Sequence, residues 1–229
     1  MKYKLRLDLK LELKFVTLYR IERISNGEIG GWIESEENLS QYGNSWVFGN
    51  AQVYGDAWVF GDARVYGDAQ VYGNAQVYGD AWVYGDARVY GNARVYGNAW
   101  VYGNAQVYGN AWVYGNARVY GDAQVYGNAW VYGNAWVYGN AQVYGDAQVY
   151  GNARVSSIKE ILNFIVPFKF PITITPDNVA IGCKLKTRKE WLKMTKKQAK
   201  EMGLEEKYYS KYKALLKAGF AMIPERKKK

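Results

Sequence analysis

From Gly43 to Val155 the chain reads V-[YF]-G-[ND]-A-x over and over, with Ser45 the one departure from alanine. In a strict six-residue period each unit meets only the units before and after it, so the chain must coil into a solenoid. Within A-x-V-[YF] the side chains alternate, which puts Ala and Val on one side and x and the aromatic ring on the other. Gly-Asn or Gly-Asp then supplies the corner: glycine accepts positive φ, and Asn and Asp tolerate the left-handed region better than other residues do. Each hexapeptide is therefore expected to be a short strand followed by a turn.

Three such units would close one coil around a narrow interior of Val and Ala. The x slot alone does not fix that number. From Trp46 to Arg154 identical letters recur three units apart in 5 of 16 comparisons and four units apart in 6 of 15, so three-sided and four-sided coils both stay open. The repeat resembles the hexapeptide-repeat family, whose units run [aliphatic]-x-x-x-[small]-x. That resemblance implies a mainly β fold, a single-stranded left-handed parallel β-helix with three sides. It implies little about activity, because acyltransferases, scaffolds and other proteins share the helix.

The side chains outside the coil carry whatever the rod recognises. On a frame of three units per turn Tyr54, Tyr72, Tyr90, Tyr108, Tyr126 and Tyr144 form one ladder, and two similar rows flank it. The x slot contributes Trp46, Trp58, Trp82, Trp100, Trp112, Trp130 and Trp136 beside Gln and Arg, while Gln52, Gln70, Gln106, Gln124 and Gln142 share a side with Arg88. So much aromatic surface exceeds what soluble monomers usually leave uncovered. The candidate binding face is this tryptophan set, covered by self-association, by a protein partner, or by sugar rings or bases stacked on the indoles.

The chain contains no histidine, which removes the commonest general base and metal ligand. Acyltransferases of this helix use a histidine base, so that activity has no carrier here and no catalytic residue is assigned. The aspartates Asp56, Asp62, Asp68, Asp80, Asp86, Asp122 and Asp146 share their slot with Asn and read as turn formers. Glu34, Glu36 and Glu37 read as a solvated loop. One cysteine and no histidine support neither a metal site nor a cofactor site. Cys183 lies in an apolar stretch and is expected to be a buried thiol. The charged N-terminus lacks the apolar core of a signal peptide and no run is long enough to span a bilayer, so a cytoplasmic protein without membrane contact is expected.

The ends read as separate parts: a β cap over residues 1–42, the solenoid over 43–155, and a basic α/β module over 156–229. Leu5, Leu7, Leu9, Leu11, Leu13 and Phe15 alternate with mostly charged residues, as in a strand with one buried face. Val16 to Ile24 reads as a second strand, and Asn26-Gly27 as a turn. After Val155, ILNFIVPFKFP is apolar, and ITITPDNVAIGC reads as a hairpin. Thr187 with Glu190 and Thr195 with Gln198 form capping boxes that start two short helices, and a third amphipathic helix is expected to end near Gly219. The phrases GGWIES and NLSQ, and the spacing of Ile181, Gly182, Cys183, Glu190 and Trp191, resemble repeat proteins often encoded by phages and prophages.

The net charge of +9 divides into 0 over residues 1–40, −2 over 41–155 and +11 over 156–229. The surplus lies at Lys184, Lys186, Arg188, Lys189, Lys193, Lys196, Lys197 and Lys200 and in the tail Arg226 to Lys229, a pattern suited to a phosphate backbone or another acidic surface, or simply to a solvated helix face. The functional expectation is a non-catalytic scaffold or binding protein acting through its aromatic faces, with nucleic-acid contact through the basic module as the alternative and a hexapeptide-repeat acyltransferase relative, disfavoured by the absence of histidine, as a second.

Overall fold

A computed structural model describes every residue except 165, 167–169 and 227–229. Part of the apolar stretch ILNFIVPFKFP and the last three residues of the basic tail thus lie outside the described residues. The rod is a β-solenoid of about seven turns, built from short rungs that pair in parallel with the rung three repeats further along: Gln106 with Gln124, Trp82 with Trp100, Trp112 with Trp130. This register settles what the x slot left open. Three rungs make one turn, and three parallel sheets run along the rod.

Every Val and Ala of the repeat points inward and is buried, so the core of the rod is a stack of small apolar side chains. Outside it, each rung donates regularly to the next turn, as in Gln106 N to Ala123 O at 2.9 Å and Tyr108 N to Val125 O at 2.9 Å. The corners correct one expectation. Among the described residues only glycines have positive φ; Gly127, at +70°, is followed by an Asn that stays out of the left-handed region. Gly-Asn thus follows the φ pattern of a turn with glycine at its first central position. A Cβ on Gly127 would also lie 2.9 Å from the backbone nitrogen of Gly145 in the next turn, so glycine is required both by φ and by the stacking distance.

Asn and Asp have a different task. Asn74, Asn92, Asn110 and Asn128 each donate from Nδ2 to the next corner at 3.1 Å, ending on Asp146. A carboxylate only accepts, so aspartate terminates such a run. Asn44 donates into Asp62 and Asn104 into Asp122 in the same way.

The N-terminal cap is a hairpin of β1 (Tyr3–Glu12) and β2 (Thr17–Arg23), followed by β3 (Ile29–Ile33). The parallel stack starts within this part: Trp32 and Ile33 pair with Gln52 and Val53, and Leu39 bridges Val59. Tyr3 lies over the core and its hydroxyl donates to Leu39 O at 2.7 Å. Asn38 accepts from the Glu34 and Ser35 amides and donates to Gly55 O and Ala57 O, closing the open edge of the first turn. Glu34 joins this closure by accepting from Gly55 N.

The alternating leucines of β1 do not form one buried face. Leu7 is 67% and Phe15 89% exposed, and Leu9 is exposed as well. The pairing slips between Arg6 and Lys10, where Leu7, Asp8 and Leu9 face no partner on β2. A bulge of this kind breaks the alternation and twists an edge strand away from further pairing.

At the other end the strands Leu162–Phe164, Ile172–Ile174, Val179–Ile181 and Lys184–Lys186 form an antiparallel sheet, packed by α1 (Arg188–Lys193), α2 (Lys196–Glu201) and α3 (Tyr209–Met222). Both capping boxes form. Gly219 lies inside α3 rather than at its end: a Cβ there would meet Ile174, so the helix packs closely on the sheet. The module closes the last turn with side-chain acceptors, Thr173 Oγ1 for Gln148 N at 3.0 Å and Asp177 for Arg154 N at 2.8 Å. No helix among the described residues is long and apolar enough to cross a membrane.

Candidate functional site

The three-rung register sorts the x slot onto three faces. One carries Gln52, Gln70, Arg88, Gln106, Gln124 and Gln142. The second carries Trp46, Arg64, Trp82, Trp100, Arg118, Trp136 and Arg154. The third carries Trp58, Gln76, Arg94, Trp112, Trp130 and Gln148. All seven tryptophans therefore fall on two faces.

The ring rows between the faces are ladders. Tyr54, Tyr72, Tyr90, Tyr108, Tyr126 and Tyr144 stack with centroids 4.9 to 5.5 Å apart. Each stacked pair contributes about 0.5–1.5 kcal/mol beyond burial. In such a row the ring faces cover one another and only edges and hydroxyls reach solvent. Burial pushes the Tyr54, Tyr72, Tyr90 and Tyr108 phenols up, and in the ladder of another face it raises Tyr96 to about 12, where the neighbouring phenols Tyr114 and Tyr78 add to the shift.

On the second face the indoles are also covered. Arg64 lies over Trp82 at 5.2 Å, Trp82 stacks on Trp100 at 5.3 Å, and Arg118 lies between Trp100 at 4.8 Å and Trp136 at 5.2 Å. Arg154 closes the series over Trp136 at 4.7 Å. Guanidinium and indole thus stack along one line of the rod, each ring face taken by a neighbour. Trp46 is not on the surface at all. It is 1% exposed, under Arg23 at 4.0 Å and edge-on to Tyr3, because the N-terminal hairpin folds over it.

The third face differs. Arg94 covers Trp112 and Trp112 stacks on Trp130, but the far side of Trp130 meets the rung of Gln148, and Trp58, stacked on Phe60 at 4.0 Å, is followed by Gln76. Trp58 is 42% and Trp130 36% exposed, the most accessible indoles among the described residues. The x-slot letters hold this signal once the three-rung register is known: an indole beside glutamine lacks the cover that an arginine gives.

The basic candidates also separate. Arg188 is buried, donating to Thr175 O at 3.1 Å and lying over Phe220, so it holds the module together. Lys184, Lys189, Lys193, Lys196, Lys197 and Lys200 are exposed, and Lys186 is half-buried. Cys183 is exposed rather than buried, since the chain turns at Gly182 and carries the thiol out of the sheet. Among the described residues no group of three or more His, Cys, Asp or Glu side chains is placed to hold a metal ion.

The repeats match the YdcK Beta solenoid repeat family at residues 51–67, 59–73, 69–85, 87–103, 105–121, 112–127, 123–139 and 147–157. No curated protein matches the chain.

Proposed function

We propose that the chain is a non-catalytic scaffold that engages its partner, a second copy or a host or phage protein in the bacterial cytoplasm, through the face carrying Trp58, Arg94, Trp112 and Trp130. The observation that supports this reading is the contrast in indole cover: Trp82, Trp100 and Trp136 have a neighbour on both ring faces, whereas Trp58, stacked on Phe60, and Trp130, stacked on Trp112, keep more accessible surface. Indoles of this kind are favoured anchors in protein interfaces. A left-handed coil and a phage or prophage source are part of the same reading and rest on the sequence resemblance.

The absence of histidine supports a role without acyl transfer, and the regular Asn–Asp ladders support a mechanical task for the corner carboxylates. The test is sedimentation of the intact chain and capture of partners from host lysate, set against Trp58→Ser/Trp130→Ser and Trp82→Ser/Trp100→Ser. Loss of association in the first variant alone is expected. Equal association in the intact chain and the first variant would sink the reading.

A further inference from the structure

Most cations outside the segment 184–200 have a partner among the described residues, and the lysines of that segment do not. In the N-terminal cap Lys4, Arg6, Lys10 and Arg23 each pair with a carboxylate at 2.6 to 3.1 Å. In α3 and just before it, Lys207 pairs with Glu205 at 2.8 Å, Lys211 lies over the Tyr208 ring, and Lys213 donates to the carbonyls that end α1. By contrast Lys184, Lys186, Lys189, Lys193, Lys196, Lys197 and Lys200 make no ion pair and no side-chain hydrogen bond among the described residues. Glu190, the one carboxylate between Lys184 and Lys200, is turned back onto Thr187 by the capping box at 2.7 and 2.8 Å.

Packing leaves most of these lysines outward, and Lys186 and Lys193 meet at one cleft. Arg188, Trp191 and Ala199 are the inward side chains of α1 and α2, which leaves positions 189, 193, 196, 197 and 200 outward. Lys189 with Lys193 and Lys196 with Lys200 are one helical turn apart, hence neighbours about 6 Å along their helices. Between the two helices and the strand Lys184–Lys186 lies a cleft of about 470 Å3, lined by Lys186, Lys193 and Gln198 together with Glu190 and Glu201.

We propose that this lysine surface binds the phosphate backbone of double-stranded nucleic acid without reading its sequence. Ammonium groups are compact point charges suited to phosphate, and they lack the planar fork with which arginine reads guanine. The nearby guanidinium, Arg188, is buried, and Gln198 is held by its capping box, so neither is free to read a base edge. Single strands are held by bases stacking on exposed rings, and the ring of α1, Trp191, is buried with Nε1 donating to Val179 O. A duplex offers the denser row of charges, about one per 1.7 Å of axis. Its capture at the module leaves the tryptophan faces of the rod uninvolved.

The test is fluorescence anisotropy of the full chain with a labelled 20-base-pair duplex, an unrelated duplex, a 20-nucleotide single strand, and vesicles containing phosphatidylserine. If about five phosphates are neutralised, affinity falls about 500-fold between 50 and 200 mM salt. The two duplexes are expected to bind within threefold of each other and more tightly than the single strand. Lys193→Glu/Lys197→Glu should lose at least tenfold in duplex affinity with an unchanged thermal transition, and Lys189→Gln/Lys196→Gln should lose less. Deletion of residues 227–229 should retain most of the binding. The proposal is overturned by no duplex binding at 50 mM salt, by unchanged affinity in Lys193→Glu/Lys197→Glu, by loss of binding on deleting 227–229, or by tighter binding to the vesicles than to the duplex.

Discussion

The rod and the C-terminal module both display cations, and they use them in opposite ways. In the rod Arg64, Arg94, Arg118 and Arg154 lie flat on indoles one turn away, so the charge is part of the stack. In the module the lysines of α1 and α2 make no ion pair among the described residues. A parallel stack repeats every side chain at about 4.8 Å, which is the distance at which planar groups cover one another. A short helix has no such repeat, and its outer lysines stay solvated. Composition counts an arginine and a lysine alike, but packing decides whether each charge stabilises the fold or is left for a partner.

The largest expected effect lies where the cap meets the rod. Trp46→Ala removes the indole that joins the hairpin to the core and should cost about 3–5 kcal/mol in chemical unfolding, with Trp46→Phe recovering most of it. A cost below about 1 kcal/mol for Trp46→Ala would mean that the hairpin does not close the rod. Next come two glycines with similar φ and different surroundings. Gly203 (+84°) has nothing within 4 Å of an added Cβ, whereas Gly127 faces Gly145. Alanine at Gly203 should cost only the left-handed backbone, about 1–2 kcal/mol, and alanine at Gly127 clearly more. Equal melting temperatures would show that the stacking distance is not limiting.

A smaller effect follows from the tyrosine ladders. Burial raises the phenols of Tyr90, Tyr96 and Tyr102 in the folded chain, so the neutral form is favoured there, and the associated stability is complete below the ordinary phenol value near 10. It is lost as pH rises through the folded values, which for Tyr96 means toward about 12. Absorbance titration of the phenols should show late, broadened phenolate formation, with unfolding at the upper end. A single transition at the ordinary phenol value would contradict the buried ladders.

Much of the rod was legible because one phrase recurs often enough for each letter to reveal its place. Val and Ala had to be the core, and the Tyr54 row had to stack once three units closed the coil. The closure itself was not legible from the x slot, since Trp, Gln and Arg there obey no strict period, and only the pairing of Gln106 with Gln124 fixes it. Trp46 carries the same letter as Trp130, yet one is covered by Tyr3 and Arg23 of a hairpin far earlier in the chain, a contact no local pattern encodes. Arg188 and Lys189 likewise differ only in which side of a helix each occupies. The leucines of β1 misled because alternation implies one buried face only while the register holds, and it slips between Arg6 and Lys10.

The contrast between stacked and free charge is tested most directly by a crossed pair of single substitutions, Arg118→Gln in the rod and Lys193→Gln in the module. Each is measured for thermal stability and for affinity to a 20-base-pair duplex at 50 mM salt. Arg118 lies on two indoles, so its loss should cost about 1–2 kcal/mol of stability and leave duplex affinity unchanged. Lys193→Gln should leave stability within about 0.5 kcal/mol and weaken the duplex severalfold. Equal effects of the two substitutions on both measurements, or the reverse assignment, would contradict the division of labour between rod and module.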